Sequence, residues 1–148
     1  MVDITDRGRD VDDALCRYLA GVLGRIEAVD GTSLFPETKP DRLVVTFDSR
    51  YYPATVETVR LEIRVFTNGD FNVSYVEEFL GESRRCRWDR HEQDHSSRDH
   101  FHPLPDASTA AAADREFPTD VTALLQQVVF PWIESRLGTL WEGHREAG

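Results

Sequence analysis

The chain has 148 residues, 27 acidic against 17 basic side chains, a net charge of −10 and 40% hydrophobic content. That length supports a single domain, 1–148, with one core, and no run of about 18 apolar residues offers a membrane span. The N-terminus, Met1-Val2-Asp3-Ile4-Thr5-Asp6, lacks the apolar stretch of a signal peptide, so a soluble cytoplasmic protein is expected.

Lys39 is the only lysine, so every other basic residue is arginine. An acidic, lysine-poor composition is that expected of a high-salt cytoplasm. At molar salt the Debye length falls to about 3 Å, so an anion would have to be held by direct contact. The planar fork of arginine suits that task. Arginine-biased coding in a GC-rich genome explains the same excess, and composition does not separate the two. Cys16 and Cys86 form neither a disulfide framework nor a CxxC metal pair and read as reduced core residues.

In chain order, Asp10 to Val29 reads as a helix with Val11, Leu15, Tyr18, Leu19, Val22 and Ile26 on one face and Asp10 as its N-cap. Gly31 to Asp41 reads as a loop marked by Pro36 and Pro40. Leu43 to Phe47 is a first strand, and the stretch from about Val56 to Phe66 a second. A three-residue turn, Thr67-Asn68-Gly69, pairs Val65 with Phe71, Ile63 with Val73 and Leu61 with Tyr75, which keeps the apolar faces together. The third strand is then Asp70 to Phe79, and Leu80 to Ser83 a turn. The fourth is Arg84 to Asp89, with Phe79 opposite Arg84, Glu78 opposite Arg85 and Tyr75 opposite Trp88. His91 to Asp106 leaves the sheet, and Ala107 to Arg115 is a short helix or loop. From Pro118-Thr119-Asp120 onward a long helix runs to about Trp141, kinked or broken at Pro131. The expected fold is α+β: a two-layer sandwich of an antiparallel meander of about four strands covered by an N-terminal and a long C-terminal helix.

The stretch from Arg84 to Asp106 stands apart. It holds four of the five histidines, His91, His95, His100 and His102, and five arginines, Arg84, Arg85, Arg87, Arg90 and Arg98. Between Ser83 and Pro103 the formal charge is +1, in a chain of −10. Three chemistries fit. In the first, His91, His95, His100 and His102, completed by Asp89, Asp94 or Asp99, hold a metal such as zinc; the spacing is not a zinc signature, and imidazoles bonded to a polar loop explain it equally. In the second, Arg84, Arg87 and Arg90 hold phosphates while His91, His100 and His102 move protons, with Trp88, Tyr51 and Tyr52 available for stacking. Glu77 or Glu78 is an alternative base, although a cross-strand pair of Glu78 with Arg85 is the simpler role, and core packing with Tyr75 is the simpler role for Trp88. In the third, the surface is a non-catalytic contact for an acidic partner. No cofactor is otherwise expected, and the oligomeric state is not encoded in any pattern.

The element Arg87-Trp88-Asp89, followed by His91 and by His100-Phe101-His102-Pro103 before a C-terminal helix, resembles the TumE-like family of toxin components of toxin–antitoxin pairs. The resemblance extends over about Leu61 to Trp141, and the Arg-Trp-Asp-Arg-His run is also similar to uncharacterised proteins of salt-loving archaea. It implies a toxin with an antitoxin partner. The residue roles above rest on chemistry alone, and joined to the resemblance they make a toxin that acts on RNA the leading expectation.

Overall fold

A computed structural model describes residues 10–91 and 98–147. Helix α1 (Asp13–Leu23) precedes strands β1 (Val29–Phe35), β2 (Arg42–Phe47), β3 (Val56–Val65), β4 (Phe71–Phe79), β5 (Glu82–Arg90), β6 (Asp99–His102) and β7 (Ala113–Asp114). They form one antiparallel sheet in sequence order. Helix α2 (Val121–Leu124), a π-helical turn (Leu125–Val129) and helix α3 (Phe130–Ala147) follow.

The α+β class, the meander and the long terminal helix stand as expected, but the sheet has seven strands rather than about four. β1 was missed because Gly31 to Asp41 read as a loop, whereas Val29 to Phe35 is a strand; the helix read to Val29 also ends earlier, at Leu23. Its N-cap is Asp12, which accepts from the Leu15 N–H, rather than Asp10. After Leu23 the chain turns and pairs Thr32 to Phe35 with Val45 to Arg42. Nor does all of the stretch from His91 to Asp106 lie outside the sheet: Asp99 to His102 form β6, which docks on β5 with Arg87 opposite His102 and Arg90 opposite Asp99. Ala107 to Arg115 is not helical and supplies β7.

The β3–β4 register is the expected one, Val65 with Phe71, Ile63 with Val73 and Leu61 with Tyr75. Gly69 sits at φ 92° in its turn with no heavy atom near a would-be Cβ. Gly69→Ala is therefore expected to cost about 1–2 kcal/mol from backbone strain alone, read as a shift in the urea midpoint at unchanged slope.

The β4–β5 register is displaced by two residues from the expected one. A two-residue turn, Leu80-Gly81 with Gly81 at φ 76°, pairs Phe79 with Glu82, so Tyr75 faces Cys86 and Val73 faces Trp88. A slip of two leaves every side chain on its face, so Cys86 and Trp88 still join the buried side. It does change partners. Glu78 pairs with Arg60 at 3.2 Å and lies opposite Ser83 rather than Arg85.

Both helices cover one side of the sheet. Cys16, Leu19 and Leu23 of α1 and Leu124, Val129 and Ile133 of the C-terminal helices share a core with Leu43, Leu61, Ile63, Val73, Tyr75 and Trp88. Trp132 packs edge-on against Tyr75 and Trp88, at 4.9 and 5.4 Å between centroids. Cys16 and Cys86 are free thiols in this core. Pro131 has no N–H to give, and its ring would crowd the Gln127 carbonyl in a regular helix. The widened turn lies directly before it, with the Phe130 N–H bonded to Leu125 O.

Candidate functional site on the open face of the sheet

The face turned away from the helices carries the polar residues that alternate with the core. Register places Arg64, Asn72, Asp89, His100 and Asp114 in one row across β3 to β7. At the usual strand spacing that row spans about 19 Å. The next row holds Glu62, Ser74, Arg87 and His102. A cleft of about 600 Å³ opens over this end of the sheet, lined among others by Arg64, Asn72, Asp89, His91, His100 and His102.

Within it, Asp89 is the hub. Its carboxylate accepts from Arg87 Nε at 2.9 and 3.0 Å, and its Oδ2 lies 2.9 Å from His102 Nε2. Since a carboxylate only accepts, Nε2 of His102 carries the proton of that bond. His102 is buried, with Nδ1 3.4 Å from the Ser108 carbonyl in the loop that follows β6. His100 lies closer to solvent and sets Nδ1 3.2 Å from Asp114 Oδ1. The two rings are 6.3 Å apart between centroids, because residues two apart on a strand share a face. His91 follows β5 on the rim, its N–H bonded to Arg98 O. Arg64 is exposed in the cleft, its guanidinium 5.6 Å from the Phe66 ring.

The three histidines singled out as acid–base candidates therefore line one cleft, and the Arg87-Trp88-Asp89 motif divides between two faces. Arg87 and Asp89 point into the site, whereas Trp88 packs between Trp132 and Phe101 in the core. The three arginines assigned to phosphate separate as well. Arg87 lies on the open face beside the cleft, opposite His102 and paired to Asp89. Arg84 lies on the helix side at the other end of β5. Arg90 reaches the cleft lining, but it is buried in a fork to Asp99 at 2.8 and 2.9 Å, and it also donates to the carbonyls of Phe117, Pro118 and Thr119. Asp99 in turn accepts the Phe117 N–H at 2.8 Å. Burial opposes the charge of Asp99, but the Arg90 fork and the Phe117 N–H outweigh it and hold the carboxyl below its ordinary value. Arg90 thus pins β6, and with it His100 and His102, to the segment that leads into α2.

Glu77 is fully buried on the helix side and salt-bridged to Arg136, which removes it from this cleft. Among the described residues no group of three or more His, Cys, Asp and Glu side chains is arranged to hold a metal ion. His95 and Asp94 lie outside the described residues. Arg64, Asn72 and Asp114 were not anticipated as site residues. The β3–β4 register alone puts Arg64 beside Asn72, but the slipped β4–β5 register would have set Asn72 opposite His91 rather than Asp89.

An antiparallel meander with both helices on one face and a His/Asp/Arg row across the other is a small α+β protein with its polar chemistry on the uncovered sheet. The chain belongs to the TumE toxin family: the family model described as Toxin TumE matches residues 20–137, from within α1 to within α3. The match reaches further toward the N-terminus than the resemblance carried by the Arg-Trp-Asp and His-x-His motifs. Neither the curated proteins nor the solved structures contain a significant match. Among the described residues no helix is long and apolar enough to cross a membrane.

Proposed function

We propose that this toxin acts on RNA, cleaving its backbone in the open-face cleft. The observation that supports the reading most is the placement of His100 and His102 on one face of β6, with His91 and Arg64 lining the same cleft. In this reading His100, oriented by Asp114, removes the proton of a 2′-hydroxyl. The freed oxygen attacks the adjacent phosphorus, and the bond from phosphorus to the 5′-oxygen breaks. His91 supplies the proton that this leaving oxygen takes up, and a 2′,3′-cyclic phosphate remains. Arg64 and Arg87 face the charge that develops on the non-bridging oxygens. His102 acts through position: its Nε2–H bond to Asp89 holds β6 in register on β5. The TumE family further implies a protein antitoxin that restrains this activity.

The test is cleavage of a labelled single-stranded RNA by purified protein, in dilute and in molar potassium chloride because a high-salt cytoplasm is one of the two readings of the acidic, lysine-poor composition. His100→Ala is expected to slow cleavage by about 100-fold or more, with an unchanged circular dichroism spectrum. The same oligomer with 2′-O-methyl groups should resist, because the nucleophile is blocked. Cutting of that oligomer would reject the 2′-hydroxyl mechanism. Growth arrest of an expressing host with intact RNA would remove RNA cleavage while keeping the toxin.

A further inference from the structure

We propose that a second cleft, on the helix side of the sheet, binds a phosphate-type oxyanion between Arg84 and Arg136. The cleft is about 330 Å³ and is lined by Thr55, Arg84, Arg136, Thr139 and His144 among others. It lies at the opposite end of β5 from Arg90 and across the sheet from His100, so it stands or falls independently of the RNA-cleavage reading.

Glu77 fixes one wall of this cleft through Arg136. Its carboxylate is fully buried and accepts from Arg136 through Nη2 at 2.7 Å and Nε at 2.8 Å, and from the Tyr75 hydroxyl at 2.5 Å. A buried ion pair is a poor source of stability, because desolvation takes back most of the Coulomb gain and apolar residues of similar volume often serve as well. What the pair does achieve is geometry. With Nε and Nη2 held by Glu77, the guanidinium is fixed in one orientation on the wall of the cleft, and among the described residues no acceptor is bonded to Nη1. Arg84 arrives from the sheet, directly opposite Glu77 in the β4–β5 register. Its guanidinium lies 4.5 Å from the centre of the Phe79 ring and its Nε bonds the exposed Glu82 at 3.2 Å. Two guanidinium groups, one from a strand and one from a helix, are thus positioned on one wall system before any ligand arrives. Among the described lining residues none is acidic, and the Glu77 charge lies behind Arg136 in the core. Forked N–H groups are the donors that match a tetrahedral oxyanion, and the His144 ring, set edge-on to Trp141, completes the polar wall, while the Thr139 hydroxyl donates to the Ser135 carbonyl.

Titration of the full-length protein with inorganic phosphate, followed by amide and side-chain NMR, tests this. Saturable shifts at Arg84, Thr139 and His144 are expected, with Arg84→Gln weakening binding by about tenfold. The paired replacement Glu77→Leu/Arg136→Met, which leaves no buried charge, should weaken it likewise. Shifts that never saturate, or an affinity unchanged in Arg84→Gln, would overturn the proposal. A 2′-O-methyl RNA oligomer then separates the sources. Shifts of the same signals identify the phosphate as that of a nucleic acid, and silence identifies a small free phosphate; either outcome supports the site.

Discussion

Glu77→Ala is expected to destabilise the protein by about 3–5 kcal/mol, the cost of leaving a buried charge without its partner. Both carboxylate oxygens are occupied, so the change strands the Nε and Nη2 of Arg136 and the Tyr75 hydroxyl together. The hydrogen bonds to Glu77 raise the pKa of Arg136 in the intact protein; without them a guanidinium still keeps its charge, so Arg136 does not escape by deprotonating. Burial first, and then neighbouring Tyr52 and Glu77, push the Tyr75 phenol upward, which keeps it a neutral donor. The paired replacement Glu77→Leu/Arg136→Met removes charge and partner at once and should recover most of the loss. Urea denaturation of the two variants decides the matter: a single replacement costing under about 1 kcal/mol would mean that the pair is not desolvated as the geometry indicates.

Arg90→Ala is expected to cost a similar amount, about 3–5 kcal/mol, and to reach the candidate site. The Arg90 and Asp99 side chains are 5% and 4% exposed. Removing the guanidinium takes the fork from Asp99 and the donors from three consecutive carbonyls, Phe117 to Thr119. β6 then loses its tie to the entry of α2, so the RNA cleavage proposed for the cleft should fall with stability. Arg90→Lys should not rescue it, because an ammonium does not reproduce a planar fork that spans a carboxylate and carbonyls. The effect has a pH signature. The Asp99 carboxyl is depressed below 3.8, so its contribution is complete above that value and is lost as pH falls through the lower folded-state value. The stability gap between wild type and Arg90→Ala should therefore narrow in acid. A gap constant down to the acid unfolding limit would rule out Asp99 as the source.

The two arginine forks also mark where reading the sequence stopped short. Arg90 and Glu77 both looked like chemistry, one a phosphate ligand and the other a spare base, because a charged residue in a polar stretch carries no sign of its burial. Alternation places Arg90 on the same face as Trp88 and Cys86, yet only the pairing with Asp99 and the carbonyls of a distant segment makes that burial tolerable. Arg136 lies in sequence far from Glu77, and no local pattern links them.

Local physics was sufficient for a good part of the protein. Period-two apolar runs around Asn68-Gly69 determined the β3–β4 hairpin and its register, since any odd slip would have turned Leu61, Ile63 and Val65 to solvent. Helical periodicity after Asp120 determined the C-terminal helix, and the Arg-Trp-Asp and His-x-His motifs were enough to place the chain with the TumE toxins. The even slip at Leu80-Gly81, β1 and β6 were left to the tertiary structure. An even slip preserves both faces and so leaves no trace in the hydrophobic pattern. β1, reading Val-Asp-Gly-Thr-Ser-Leu-Phe, and β6, reading Asp-His-Phe-His, have too little apolar content to declare themselves as strands. They form because β2 and β5 offer unpaired backbone edges, and because Arg90 reaches across to Asp99. That docking also decides that His100, His102, Asp89 and Arg64, widely separated along the chain, line one cleft.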